Sequence, residues 1–143
     1  MTAVAATPDN LSVMATATLL NRDELQRYLN RLGDRWALQA AWLGGARIDD
    51  LRGAPAQRER GPEFVLILIA PAFDGMPWLE RVYQAGSLWD AMEMGGAADV
   101  HCYTPPEFGR KRQTMPAVQR VIAQGMLLFE DTAPGLSRED ELD

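Results

Sequence analysis

Residues 64–70 (FVLILIA) are the stretch of sequence that decides the fold. Every side chain in it is apolar, which is typical of a strand covered on both faces, and Pro71 ends it. Three weaker runs predict further strands at residues 36–43, 99–103 and 126–129. The last of these could lie at an edge of the sheet. The sequence therefore predicts a sheet of about four strands.

Helices are predicted around these strands. Asn21 can cap a first helix, with Glu24 in the capping-box position and Gly33 as its natural stop. Residues 46–61 are polar and contain glycine, proline and four arginines, which predicts a long loop. Within that loop, residues 48–51 have room for one helical turn.

The second half of the chain predicts three more helices. After Pro77, apolar residues recur every three or four positions and predict one amphipathic helix, carried by Trp78, Val82, Ala85, Trp89 and Met92. Thr104 and Glu107 have capping-box spacing, and Pro116 opens a last helix that Gly125 closes. Strands that alternate with helices predict an α/β (α+β) fold, with a small mixed sheet and helices packed mainly on one face.

The 143 residues suit one domain. We expect a loose N-terminal arm at residues 1–20, the domain at 21–131 and an acidic tail at 132–143. The net charge of −6 argues against general nucleic-acid binding, because phosphate backbones are repelled. No apolar run approaches the roughly 20 residues of a membrane span, and no signal peptide is evident. A soluble cytoplasmic protein without a membrane partner is expected.

Three pieces of the sequence resemble the small nucleotidyltransferase-fold domains related to DNA polymerase beta. Residues 64–90 (FVLILIAPAFDGMPWLERVYQAGSLWD) are similar to their central strand, a turn with Phe-Asp/Glu-Gly and the following helix. Residues 98–112 (ADVHCYTPPEFGRKR) resemble their third strand and a Tyr-Thr-Pro-x-Glu-Phe helix start. Residues 117–130 (AVQRVIAQGMLLFE) resemble their closing helix, glycine and edge strand.

The resemblance implies a site made of two motifs and one further acid. In the family, a Gly-Ser pair after the first strand cradles the nucleotide phosphates with backbone amides. An Asp-x-Asp pair and a third carboxylate hold two metal ions, and Mg²⁺ prefers such hard oxygen ligands. In this chain, Gly44 and Gly45 occupy the positions of the Gly-Ser pair. Glu63 and Val65 occupy the positions of the two aspartates, and Asp99 occupies that of the third acid.

This sequence departs from the family pattern where ligands are needed. The serine hydroxyl is missing, and Val65 cannot ligate a metal. Glu63 and Asp99 remain as candidate catalytic and metal-binding acids. The candidate nucleotide-binding residues are Gly44, Gly45 and Arg47. No cofactor is expected, and Mg²⁺ is the implied ion if any activity remains.

Several other residues have two interpretations. Asp49 and Asp50 could enter the metal site from the loop, although neighbouring residues on a strand point to opposite faces and make a poor clamp. His101 and Cys102 are also neighbours, so a zinc site is not supported, and Cys102 is best explained as a core thiol.

Aromatic and basic side chains are also ambiguous. An aromatic set could stack a nucleobase, but its spacing favours core packing; it comprises Phe73, Trp78, Tyr83 and Trp89. A basic run at residues 110–112 and the arginines at 47, 52, 58 and 60 could contact phosphate or a partner, whereas solvation is the plainer explanation.

We therefore expect a catalytically degenerate nucleotidyltransferase-like protein that acts by binding a protein partner or a nucleotide. One alternative is an active minimal nucleotidyltransferase of the antitoxin type, which would transfer a nucleotidyl group from an NTP to a partner protein, with Glu63 and Asp99 holding one metal. The other alternative is a structural subunit that self-associates into a homo-oligomer.

Overall fold

The chain folds around one mixed sheet, and the structure, a computed structural model, describes residues 20–53 and 61–131. Its helices are α1 (Arg22–Arg35), α2 (Ala46–Arg52), α3 (Trp78–Ser87), α4 (Ala91–Met94), α5 (Pro105–Thr114) and α6 (Pro116–Gln124). Its strands are β1 (Ala40–Gly44), β2 (Phe64–Ile69), β3 (Ala98–Tyr103) and β4 (Met126–Glu130). A short 3₁₀ turn, Pro71–Phe73, follows β2.

The strand order is β3-β2-β1-β4, which places β4 at an edge of the sheet. Strand β1 runs antiparallel to both β2 and β4. Strands β2 and β3 run parallel, and α3 and α4 lie in the connection between them, because parallel neighbours need a crossover. The predicted mixed sheet of four strands is confirmed, and so is the edge position of residues 126–129.

The larger part of the core lies on one face of the sheet. Phe64, Leu66 and Leu68 alternate along β2 and are fully buried there. Helices α1 to α4 cover this face with Leu25, Tyr28, Leu32, Ile48, Ala85 and Met94. The Tyr28 hydroxyl donates to the Ala85 carbonyl at 2.9 Å, which links α1 to α3.

A smaller cluster covers the opposite face. Ile67 and Ile69 of β2 pack there against Val118 and Val121 of α6. Both faces of β2 are therefore covered, as its continuous apolar sequence predicts. Four helices, α1 to α4, lie on one face, whereas α6 and, through Phe108, α5 pack on the other, so the helices lie mainly on one face, as expected.

Helix α1 begins where it is predicted and ends later. The Asn21 side chain caps it by accepting from the Glu24 amide at 3.1 Å. The predicted stop at Gly33 is wrong, because this exposed glycine keeps a negative φ and the helix continues past it. The helix ends at buried Trp36, whose ring contacts Phe73 with centroids 5.0 Å apart.

The Glu24 carboxylate does not close a capping box but holds two arginines. It is 3% exposed and accepts from Arg27 Nε at 2.9 Å and from Arg31 Nη2. The hydrogen bond from Arg31 is the largest cause that lowers the pKa of Glu24, so the carboxylate stays charged although burial opposes this. Arg31 also donates to the Leu88 carbonyl at 2.9 Å and joins α1 to the end of α3.

The single helix predicted over residues 78–92 is wrong, because the chain forms α3 and α4 with a break between them. At the break, the Leu88 carbonyl accepts from Arg31, and Asp90 starts a new helix by accepting from the Glu93 amide at 3.0 Å. Met92, which the spacing assigns to the core, is 91% exposed.

Two predicted boundaries around β1 are also corrected. The strand covers Ala40–Gly44 rather than 36–43, since Trp36 still belongs to the end of α1. The predicted loop at 46–61 opens with a full α-helix, α2, which ends at Gly53 in the left-handed conformation.

Some predictions fall outside the described residues. These include the arm up to residue 19, the tail from 132, and loop residues 54–60 with the arginines at 58 and 60. Leu20, which was assigned to the arm, lies in the core with 1% exposure. Across residues 20–53 and 61–131, no helix combines the length and apolarity that a membrane span requires.

Candidate functional site

The turn from β1 into α2 is where the phosphate cradle is expected. Gly45 has a φ of 108°, and a Cβ built on it would lie 2.6 Å from the Glu63 carbonyl oxygen, so the backbone path excludes serine here. The amides of Ala46 and Arg47 donate to the carbonyls of Pro62 and Glu63 at 2.9 and 3.0 Å. Two amides that would face a phosphate are therefore already used within the chain.

Gly44, the other candidate of this turn, has a packing role. A Cβ at this position would lie 2.9 Å from Cγ2 of Val121. The missing side chain lets α6 approach β1 closely, and this approach explains the glycine without any ligand.

Glu63, the first candidate metal acid, is paired with Arg47, the candidate nucleotide-binding arginine. Arg47 Nε donates to Glu63 Oε1 at 3.0 Å. The guanidinium lies 5.1 Å from the centroid of the Phe64 ring and donates from Nη2 to the Gly95 carbonyl at 2.8 Å. The structure thus brings two predicted site residues together, but as an ion pair that joins α2 to the residue before β2, while the hydrogen bond to Gly95 ties α2 to the turn before β3.

Asp99, the second candidate acid, lies beside Val65. The parallel register of β2 and β3 pairs these two residues, so their side chains share one face of the sheet. Valine thus stands where a second carboxylate would lie next to Asp99. Glu63 precedes β2 by one residue and bonds to Arg47 instead.

His101 connects Asp99 to Tyr103 along the same face of β3. Its Nε2 lies 3.1 Å from Asp99 Oδ2, and because a carboxylate only accepts, the Nε2–H donates. Its Nδ1 lies 3.1 Å from the Tyr103 hydroxyl, which also contacts Met115 Sδ at 3.5 Å. Burial is the main cause that raises the pKa of Tyr103, so the hydroxyl keeps its proton. Asp99 itself is 55% exposed.

These residues do not fit a site for two Mg²⁺ ions. Magnesium prefers several hard oxygen ligands around one point. Over the two ranges that the structure describes, no group of three or more Asp, Glu, His or Cys side chains is arranged to hold a metal. Glu63 has an arginine partner, and Asp99 has a histidine partner.

The alternative acidic pair also has other contacts. Asp49 and Asp50 lie on α2, not on an extended strand. Asp49 Oδ2 accepts from Arg120 Nη2 at 2.9 Å, which ties α2 to α6. Asp50 is exposed. Successive helix residues point about 100° apart, so this pair does not converge on one ion.

Cys102 is a core thiol, as predicted. It is fully buried on the larger core face, opposite to the side of the sheet that carries His101. Burial raises its pKa to about 12, and this keeps the thiol protonated and unreactive at neutral pH.

The aromatic set divides between core and surface. Phe73 is fully buried, and Trp89 packs edge-on against Tyr28 with centroids 5.1 Å apart. Core packing is confirmed for these two side chains. The same prediction is wrong for Tyr83 and Trp78, which are 73% and 42% exposed. The basic run, residues 110–112, is exposed near the end of α5.

Arg81 is a buried cation that the sequence analysis missed. Its Nη1 donates to Glu107 Oε1 at 2.7 Å and to the Cys102 carbonyl at 3.1 Å. The Arg81 hydrogen bond is the main reason that the pKa of Glu107 falls to about 2. Glu107 also completes the predicted capping box with Thr104. An arginine four residues before Ala85, inside the apolar stripe of α3, was the available signal.

Comparison with solved structures places this fold among known ones. The chain is similar to the crystal structure, at 1.40 Å, of a "putative nucleotidyltransferase" from Sulfolobus solfataricus. The TM-score is 0.50, with 12% identity, over 83% of this chain and 86% of that chain. No protein-family model matches the sequence, and no curated protein matches it. This likeness concerns the fold, and the fold is nucleotidyltransferase-like.

Proposed function

We propose that this chain is a catalytically degenerate protein of nucleotidyltransferase-like fold that acts by binding a protein partner. The observation that carries the proposal is Val65, which lies beside Asp99 in the strand register where metal binding would need another carboxylate. Asp99 alone cannot gather two divalent ions on a triphosphate, because each ion needs several oxygen ligands. The Arg47–Glu63 ion pair supports the same conclusion.

A protein partner agrees better with the geometry than an NTP does. The amides of Ala46 and Arg47 already donate to carbonyls of the chain, so a triphosphate would have to displace these bonds. Helix α3, in contrast, exposes large side chains at Leu79 and Tyr83, one helical turn apart. Exposed apolar groups that lie together are typical of protein-binding surfaces.

Calorimetric titration with ATP, GTP and CTP in the presence of Mg²⁺ tests this proposal, together with product analysis by chromatography. We expect no metal-dependent turnover of any nucleotide. Turnover that needs Mg²⁺ and stops with EDTA would contradict the degenerate assignment.

An active enzyme of the antitoxin type is the alternative, and the exposure of Asp99 is the observation in its favour. This exposed carboxylate could still reach a single metal ion. The alternative predicts that the chain labels a partner protein with radiolabelled ATP and that D99N abolishes the label. Equal labelling by D99N and the wild type would count against it.

Self-association is a second candidate function, favoured by the position of β4. This strand lies at the sheet edge, and Leu127 and Phe129 on it are exposed. An unpaired strand edge with apolar side chains can pair with a second copy of itself. This homo-oligomer would need no nucleotide.

A further inference from the structure

A cavity of about 430 Å³ opens between α3, β3 and α5. Its size lies within the range of roughly 300–1,000 Å³ that is typical of small-molecule sites. It is lined by His101 and Tyr103 of β3, and so starts two residues along the strand from Asp99. The turn at Gly45, where a phosphate cradle is expected, does not contribute to its lining.

Three rings form one wall of this cavity. The Trp78 and Tyr103 rings have centroids 5.5 Å apart and are inclined by 34°. His101 lies 6.4 Å from Trp78 and 6.1 Å from Tyr103. Tyr103 is buried and His101 is half-buried, so hydrogen bonds and packing hold both in place, whereas Trp78 is 42% exposed at the rim. A preformed aromatic wall favours a planar ring as ligand.

The charges around the cavity favour an anion. Arg81 and Glu107 are both lining residues, and they neutralise each other through their ion pair. Arg110 and Lys111 also line the cavity and are exposed. In the described part of the chain, the side chains of these two cations make no hydrogen bond or ion pair.

The neighbouring basic residue behaves differently. Arg112 lies 5.5 Å from the centroid of the Phe108 ring and is not part of the lining. The chain as a whole carries a net charge of −6, so two unpaired cations at one cavity are a local exception. The cavity therefore combines an aromatic wall with a positive rim.

We propose that this cavity binds a small planar aromatic molecule that carries an anionic group. The ring stacks against Trp78 and Tyr103, and the anion lies between Arg110 and Lys111. An aromatic carboxylate and a nucleoside monophosphate share this chemistry. The site goes beyond the proposed function, because it uses neither the β1–α2 turn nor the metal acids.

Titrations followed by ¹⁵N-resolved NMR test the proposal with three probes. Benzoate has both ring and charge, benzyl alcohol has only the ring, and acetate has only the charge. We expect benzoate to shift the amides of His101 and Tyr103 and the indole N–H of Trp78 at lower concentration than either partial probe. Equal effects of acetate and benzoate, or no shifts at these residues, would overturn the proposal.

Charge variants locate the anion. We expect R110Q/K111Q to weaken benzoate binding by about threefold to fivefold, as loss of exposed ion pairs would do, and to leave benzyl alcohol unchanged. R112Q is the control, since it removes one positive charge from the next position of α5, outside the lining of the cavity. Equal weakening by R112Q would show only a general surface effect and would contradict the site.

A second variant and a second ligand complete the test. W78A is expected to weaken benzoate and benzyl alcohol alike, because it removes a ring from the wall. Competition by AMP for benzoate would point to a nucleoside monophosphate, and benzoate binding without AMP binding would point to an aromatic carboxylate. Unchanged affinity of both ring probes for W78A would overturn the stacking geometry.

Discussion

Val65 is the residue at which the inherited chemistry can be tested most directly. V65D would place a carboxylate laterally beside Asp99 on the same sheet face. We expect it to lower the free energy of unfolding by about 1–3 kcal/mol without divalent ions, because like charges face each other across the strands. Mg²⁺ should recover part of this loss, and urea unfolding with and without Mg²⁺ measures it.

The V65D result is interpreted by comparison with V65N and with the wild type. V65N has a similar shape without the charge, and its stability should not respond to Mg²⁺. If the wild type itself were stabilised by Mg²⁺ as strongly as V65D, the chain would already hold a working metal site and the degenerate assignment would fail.

Two glycines should respond to alanine in opposite directions. G45A forces a Cβ to within 2.6 Å of the Glu63 carbonyl at a φ of 108°, so we expect a loss of about 1–3 kcal/mol or more. G33A adds a methyl group in open space at an exposed position of α1, and a gain of about 0.5–1 kcal/mol is expected. Thermal unfolding of both variants provides the check, and a stabilised G45A would contradict the described backbone path.

Glu107 should make stability depend on acidic pH. Its pKa is about 2 in the folded chain, against an ordinary value of 4.5, chiefly because of the hydrogen bond from Arg81. Since the folded state binds the proton less tightly, the stabilisation is complete above about pH 4.5 and is lost as the pH falls towards about 2. E107Q should cost about 1–3 kcal/mol at pH 7 and flatten the curve in that window.

The control for E107Q is E93Q, which removes an exposed carboxylate from α4. Denaturant unfolding at a series of pH values compares the two variants. If the free energy of unfolding depended on pH as steeply in E107Q as in the wild type, other carboxylates would dominate the acid response.

At the scale of the elements, local sequence patterns predicted most helix starts but missed some helix ends. The caps at Asn21 and Thr104 mark real helix starts, because each side chain bonds an amide within its own first turn. Where these helices end depends on contacts with residues that are distant in the sequence. The break after α3 involves Arg31, which reaches across from α1 to the Leu88 carbonyl, and spacing along one segment cannot reveal it. Asp90 and Glu93 did carry a local cap signal that the apolar periodicity obscured.

The edge strand β4 carries the prediction for self-association. If a second copy pairs here, light scattering after size exclusion should show a concentration-dependent dimer, and L127K/F129K should make it monomeric, because lysine on an edge opposes pairing. L79K/Y83K changes an equal number of exposed apolar residues on α3 and serves as the control. A wild type that stays monomeric at all concentrations excludes this function.

For the whole molecule, the family resemblance predicted the fold better than it predicted the site. The order of the three matched sequence pieces correctly indicated the mixed sheet. It also assigned Val65 and Asp99 to one acidic cluster of the family, and the two residues do lie side by side in the strand register. It could not show that Glu63 pairs with Arg47, because that contact joins residues 16 positions apart through a change of chain direction. The aromatic cavity was missed for a similar reason. It combines residues of α3, β3 and α5, and no single segment carries the pattern.

Cys102, the single cysteine of the chain, can report on opening of the whole molecule. The thiol is fully buried in the larger core, and burial raises its pKa to about 12, so a thiol reagent should react only after the core opens. We expect the labelling rate at mildly alkaline pH to be about 10³–10⁶-fold below that of free cysteine, matching the usual unfolded fraction of a stable domain. The rate should rise with urea in parallel with global unfolding.

S87C/C102A moves the thiol to the exposed end of α3 and should label rapidly in the native state. Rapid labelling of the wild type without urea would instead show that β3 separates from the core while the rest stays folded.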